Sequence, residues 1–320
     1  LAGGEGQNIT SSNEFDADSF SATTTANFTS NFAIGKQEGG STDPVVVNFD
    51  YEIALSSSFN GSDSLDVVLN AGKSKGYTEL DMTDSLSVTV DSISYALPLG
   101  ERVNVSAAFG GGAAGSSLYN TACVYGAQAD TFSDCGVSAA NIDEGLGVAL
   151  GANFDIGAGF TAALAYEGQG TTTGLMSYGS TDAIGAQLAY TGDSFGISLS
   201  YANIENHDAN NVVQNCDNIG IIDCSGLGYT TQSVGVNAYF SPDLSNFPTI
   251  SAGFETNHDE YVLLSSADET SHYFIGLQWD EIFDGTLGAA VGSKEPYNES
   301  ADALTMYEVF YSYEYADGLT

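Results

Sequence analysis

Residues 45 to 59 divide cleanly by parity. Val45, Val47, Phe49, Tyr51, Ile53, Leu55 and Phe59 occupy the odd positions, while Asn48, Asp50, Glu52, Ser56 and Ser58 fall on the even ones. Side chains of an extended chain point alternately to opposite faces, so this segment reads as a strand with one apolar and one polar face. It exceeds the roughly 5–6 residues usual for strands of soluble domains. The pattern recurs at Phe20–Ile34, Leu65–Ala71, Val103–Phe109, Leu146–Phe154, Phe160–Tyr166, Ile184–Tyr190, Phe195–Tyr201, Val234–Phe240, Ile250–Phe254, Tyr273–Trp279, Leu287–Val291 and Tyr307–Tyr315. Between Leu86 and Leu99 the apolar parity switches, from Val88 and Val90 to Ile93, Tyr95 and Leu97. A switch inside one run predicts a β-bulge.

Connections alternate between short turns (Asn60-Gly61, Pro98–Glu101, Asp155–Gly159, Thr191–Asp193) and longer polar segments such as 110–144 and 204–229. Antiparallel strands joined this way place all the short turns at one end, as transmembrane barrels do. The expected fold is therefore all-β: a transmembrane antiparallel β-barrel with long disulfide-bearing extracellular loops. Fourteen strands are legible and a fifteenth begins at Leu319; an even total of about sixteen is expected. On this reading residues 1–17 are a linker, and 18–320 form a C-terminally incomplete barrel. Phe20, Phe59, Phe109, Phe154, Phe160, Tyr166, Tyr190, Phe195, Tyr201 and Trp279 sit where interfacial girdles belong. A β-sandwich has shorter strands, and a β-helix has a fixed repeat length that this chain lacks.

Composition narrows the function classes. No window approaches the roughly 18–20 apolar residues of a membrane-spanning helix, which leaves strands as the spanning element. Five basic residues face 42 acidic ones, for a formal charge of −37. Nucleic acid is thereby excluded as a partner, because phosphate binding depends on Lys and Arg. So acidic a surface suits a salty medium such as a marine one, because the Debye length falls to roughly 3 Å at about 1 M salt.

Candidate chemistry is sparse. Cys123 and Cys135 lie in one polar segment, and Cys216 and Cys224 in another. Four cysteines allow three connectivities; pairing within each segment is the simplest, and unpaired thiols are the alternative. Zinc spacing is absent. His207 and His258 read as loop residues and His272 as lying near a strand start, none beside a nucleophile or ligand cluster. Gly145-Leu-Gly147 precedes a strand pattern rather than a helix, and Asp16-Ala-Asp18 lacks the rest of a calcium loop. Neither an enzyme, a metal nor a cofactor is expected.

The stretch Ser57-Ser-Phe-Asn-Gly-Ser-Asp-Ser-Leu-Asp-Val-Val-Leu-Asn-Ala-Gly72 resembles a hairpin of cyanobacterial outer-membrane porins. Asp91–Arg102 resembles their next strand and turn, and Tyr307–Tyr311 with Asp317–Thr320 the start of their closing hairpins. Where that hairpin usually carries Arg or Lys, this chain has Asp66. The resemblance implies a Som-type porin, a group described in part as iron-uptake or OprB-like carbohydrate porins. It further implies residence in a Gram-negative cell outer membrane among lipid and lipopolysaccharide, homotrimers, and peptidoglycan tethering by an upstream domain.

The expected function is passive diffusion of ions and small hydrophilic solutes, sugars among them, through an acidic pore. Asn48, Asp50, Glu52, Asp66, Asn70, Asn104, Asn153, Glu167, Gln187, Glu255 and Glu308 are the expected pore-lining residues. Carboxylates with little countercharge concentrate cations, so cation selectivity is expected, carried chiefly by Asp50, Glu52 and Asp66. The segment 110–144, pinned by Cys123–Cys135, is the expected inward-folding constriction. An extracellular β-rich adhesin or wall-layer protein is the alternative.

Overall fold

A computed structural model describes residues 24–35, 45–74, 82–142, 145–170, 174–177, 180–206, 229–244, 246–261, 267–294 and 304–313. The expected linker, the start of a fifteenth strand, Cys216, Cys224 and His207 lie outside these residues.

Among the described residues fourteen strands follow one another: β1 Thr24–Gly35, β2 Val46–Ser57, β3 Ser64–Lys73, β4 Thr89–Leu99, β5 Val103–Gly110, β6 Gly147–Gly157 and β7 Phe160–Gly168. The second half comprises β8 Asp182–Thr191, β9 Phe195–Asn206, β10 Tyr229–Phe240, β11 Thr249–Tyr261, β12 Ala267–Ile282, β13 Gly285–Lys294 and β14 Leu304–Tyr313. They form one sheet in sequence order, each strand antiparallel to the next, as the wall of a β-barrel. The described pairing runs from β1 to β14. The expected bulge is present: Val68 faces Ser92 while Leu69 faces Val90, so Asp91 is skipped and the parity of β4 flips.

β11 and β12 carry on past the apolar stretches that marked them in the sequence. His258 therefore lies within β11 rather than in a loop, and His272 well inside β12. Ladder hydrogen bonding does not stop where the apolar belt does, so alternation alone ends such strands too early.

The odd face of β2 and its equivalents point outward and are half-buried to exposed, with Phe28 71% and Phe32 81% accessible. A continuous belt of exposed apolar side chains is uncharacteristic of a water-facing surface and suits a hydrocarbon one. At the short-turn end, Phe160, Tyr190 and Phe195 pack as a row, with ring centroids 4.8 and 5.3 Å apart.

The β2–β3 turn is organised by Asp63. Its carboxylate accepts from the Ser58 hydroxyl at 2.7 Å, the Tyr95 hydroxyl at 2.7 Å, and the Phe59 and Asn60 amides at 3.0 and 2.9 Å. The Ser58 and Tyr95 hydroxyls hold that carboxyl well below the usual carboxylate range. Gly61 at φ +85° lets the chain reverse there without a Cβ clash.

The buried core lies inside the wall. Tyr125, Ala129, Phe132 and Cys135 of the β5–β6 connection pack against Phe274 and Ala290 of β12 and β13. A second cluster joins Ile142 to Ala165, Ala183, Ala202 and Ile204 on β7–β9.

Candidate functional site

The connection between β5 and β6, residues 111–146, folds onto the inner face of the sheet. Among its described residues it contains two short helical turns, Gly115–Leu118 and Asp130–Gly136. An irregular segment enclosed by a barrel must satisfy its backbone groups without a ladder. The wall does this one side chain at a time. The Gly115 amide donates to Glu167 Oε1 at 2.6 Å, the Asn120 amide to Gln187 Oε1 at 2.7 Å, and the Ala122 amide to Ser198 Oγ at 3.0 Å. Farther out, the Val124 amide donates to Ser251 Oγ at 3.4 Å and the Gly126 amide to Gln278 Oε1 at 2.9 Å.

The loop tip rests on β14. Glu308 accepts from the Tyr125 hydroxyl at 3.0 Å, and from the Gln128 and Ala129 amides at 3.1 and 2.6 Å. The return limb is held by Asn237 Nδ2 donating to the Asp134 carbonyl at 2.7 Å, and by the Ala140 amide donating to Glu255 Oε2 at 2.8 Å. Ser200 closes the series by donating to Asn141 Oδ1 at 2.6 Å. Cys123 and Cys135 are disulfide-bonded, as pairing within the segment required, and clip the tip at its base.

Shape complements these bonds. Gly185, Gly235, Gly253, Gly276 and Gly292 share the inner face beneath the loop. A Cβ on Gly276 would meet Tyr125 Cδ2 at 2.7 Å, and one on Gly292 would meet Phe132 Cε1 at 2.6 Å. On Gly253 it would collide with the Cys135 carbonyl, and on Gly235 with Val137. These glycines clear a bed. Above it, Phe274 stacks edge-on with Tyr125 and Phe132, at centroid distances of 5.2 and 5.1 Å, and Phe310 lies 5.7 Å from Tyr125. Burial, followed by the nearby Glu308 charge, raises the Tyr125 hydroxyl above its ordinary range, so it remains a donor. Burial and then the Glu167 charge likewise raise the Tyr119 hydroxyl above its ordinary range.

The remaining wall, β1–β5, carries Asp50, Glu52, Asp66 and Asn70 in its inner register. Asn31 Nδ2 donates to Asp50 Oδ1 at 2.9 Å, Ser64 to Asp66 Oδ2 at 2.6 Å, and Asn70 Nδ2 to Asp91 Oδ1 at 2.9 Å. Glu52 is exposed and Asn48 buried. Among the described side chains the fixed positive charges are Lys73 and Arg102. Lys73 is in the outward register opposite Phe49 and pairs with Asp84 at 2.5 Å, and Arg102 sits in a turn. Neither offsets the inner carboxylates.

The expected pore-lining residues thus form two groups. Asp50, Glu52, Asp66 and Asn70 stand together on β2–β3. Glu167, Gln187, Glu255 and Glu308 lie along the loop, holding its amides. Asn104 and Asn153 bridge the groups, bonded to each other at 3.2 Å, with Asn153 also donating to the Leu118 carbonyl at 3.2 Å. Sequence reasoning missed the glycine bed, the serine anchors and the inner aromatics. Their signal was present as apolar or glycine residues in a polar register, such as Phe274 between Tyr273 and Ile275.

Neither a protein-family model nor a curated protein matches the chain. Among solved structures it superimposes on OmpF of Salmonella typhi, determined as a complex with daunomycin, with a TM-score of 0.57 at 11% identity, covering 92% of this chain and 86% of that one. A loop-deletion variant of OmpT, an outer membrane protein of Vibrio cholerae, aligns at a TM-score of 0.46 and 11% identity over 91% of this chain and all (100%) of that one. The outer membrane channel DcaP of Acinetobacter baumannii gives 0.45 at 9% identity, over 85% and 91%. The chain shares its fold with the first of these.

Proposed function

We propose that the protein is an outer-membrane porin that passes small hydrophilic solutes by diffusion and favours cations. The observation that carries this reading is the inner loop, seated against β6–β14 and leaving the carboxylate-bearing face of β2–β3 without a basic counterpart among the described side chains. A solute moving past the loop would travel along Asp50, Glu52 and Asp66. Fixed charge of one sign in a narrow, low-dielectric passage enriches counterions and repels co-ions. The fold shared with OmpF supports the outer-membrane setting.

Several finer assignments belong to the same proposal. They are a porin of the cyanobacterial Som or OprB-like type, a homotrimeric state, contact with lipopolysaccharide, attachment to peptidoglycan, and passage of sugars or iron complexes. The deciding experiment is the reversal potential of single channels in a tenfold KCl gradient. A potential of the sign set by K⁺ movement is expected, reduced in the triple variant D50N/E52Q/D66N. A wild-type potential set by chloride movement would refute the selectivity, and an absence of channels would refute the porin.

A further inference from the structure

The bulge in β4 alters the inner wall at the level where the loop departs from it. Val68 faces Ser92 and Leu69 faces Val90, so Asp91 has no partner on β3. On its other side the β4–β5 ladder ends with Ser92 opposite Gly110. Asp91 therefore lies one residue beyond the last rung of β5, beside the root of the loop. Parity leaves its face undetermined, because it stands where parity switches. Its contacts place it inside. Asn70, register partner of Glu52, donates Nδ2 to Asp91 Oδ1 at 2.9 Å. The Thr89 hydroxyl donates to Asn70 Oδ1 at 2.9 Å, which fixes the amide with its NH₂ group toward Asp91.

The loop root is shaped around this residue. A Cβ on Gly110, which stands at φ +117°, would collide with the Asp91 carbonyl, and one on Gly112 would collide with Asp91 Oδ2. The Gly112 amide donates to the Asp91 carbonyl at 3.3 Å. Gly111 and Gly112 are exposed and Asp91 is half-buried. Oδ2 thus meets a residue without a side chain, and among the described residues it accepts no hydrogen bond. Glu167, Glu255 and Glu308, by contrast, spend carboxylate oxygens on loop amides.

We infer that Asp91 is a further selectivity-determining residue of the passage, acting on permeating cations where the loop leaves the wall. The inference rests on the reading of the protein as a cation-favouring porin. Neither structural contact of Asp91 needs its charge: the main-chain carbonyl holds Gly112, and an amide oxygen would serve Asn70 as well. What the carboxylate adds is field. Neighbouring strands lie about 4.8 Å apart, so Asp91 stands about 10 Å across the wall from Glu52, with Asn70 between them. The charged face thereby extends from β2 to the loop root. A unit charge about 7 Å from an ion in water changes the local concentration of that ion by roughly threefold.

The test is the K⁺/Cl⁻ permeability ratio of single channels of the full chain, taken from reversal potentials in a tenfold KCl gradient. D91N keeps both structural contacts and should lower the ratio by about threefold. D91E, which restores the charge, should recover most of it. E260Q alters an exposed carboxylate in the outward register of β11 and should leave the ratio at the wild-type value. The exclusion limit in liposome swelling should be the same in D91N as in wild type, because the main-chain brace of the loop root survives. Heat-dependent gel mobility verifies folding, and D91S supplies a second neutral variant should the amide disturb the bulge. A cation-selective wild type whose ratio D91N and D91S leave unaltered overturns the inference while the porin reading stands. So does a ratio lowered equally by E260Q, or an altered exclusion limit with an unaltered ratio. A wild-type ratio favouring chloride refutes the selectivity reading itself, and the inference with it.

Discussion

Removing the Glu308 side chain should free the tip of the inner loop. This one carboxylate accepts three hydrogen bonds from it, from the Tyr125 hydroxyl and the Gln128 and Ala129 amides. A hydrogen bond to a charged group contributes about 1.5–3 kcal/mol. The Gln128 contact is exposed, so water replaces it at little cost; the other two are partly buried. Allowing for water entering beside Tyr125, E308A should cost about 3 kcal/mol of tip docking, which is roughly a hundredfold in the docked-to-free ratio. The anchors at Glu167, Gln187 and Ser198 are untouched. The loss should therefore be local and the barrel should still form. Single-channel recording in planar bilayers is the assay: E308A should show excess open-channel noise and sub-conductance steps that wild type lacks. E308Q keeps one acceptor but turns an NH₂ group toward the loop donors, so it should fall between the two. Folded E308A channels with wild-type noise and wild-type size exclusion in liposome swelling would refute the account of Glu308 as the tip's anchor.

Filling the bed should displace the loop from below. G253L places side-chain atoms where the Cys135 carbonyl lies, and overpacking of about 1–3 kcal/mol should change conductance and exclusion limit, whereas the same exchange at an exposed turn glycine, Gly61, should affect folding without altering either. Replacing both Cys123 and Cys135 by Ala reopens a loop with a sequence separation of 12, and should loosen the tip by about 2–3 kcal/mol, read as increased proteolysis between Tyr125 and Phe132. The Asp63 carboxyl is depressed in the folded turn. Its contribution is thus present above the ordinary carboxylate range and lost as pH falls through the folded value; hydrogen exchange at the Phe59 and Asn60 amides should accelerate at strongly acidic pH in wild type but at every pH in D63A.

The strand pattern was legible from parity alone, down to the bulge that moves β4 from Val90 to Ile93. Alternation survives in sequence because each wall residue meets either the outer or the inner environment, and the chain's own geometry sets that choice every two residues. The same logic placed Asp50, Glu52 and Asp66 on one inner face, and the loop's length and cysteine pair marked it as a separate unit. What alternation could not supply was the partner of each inner side chain. Glu167 and Glu308 have the same register as Glu52, yet they end in the amides of Gly115 and Ala129 while Glu52 stays exposed. That difference arises from contacts across 52 and 179 residues of chain, and depends on where the loop comes to rest. Local sequence therefore determined which face each residue joins. Only the tertiary structure decided which carboxylates hold the loop and which it leaves unengaged, because a backbone amide enclosed by the wall must find its acceptor on whatever strand it lies against.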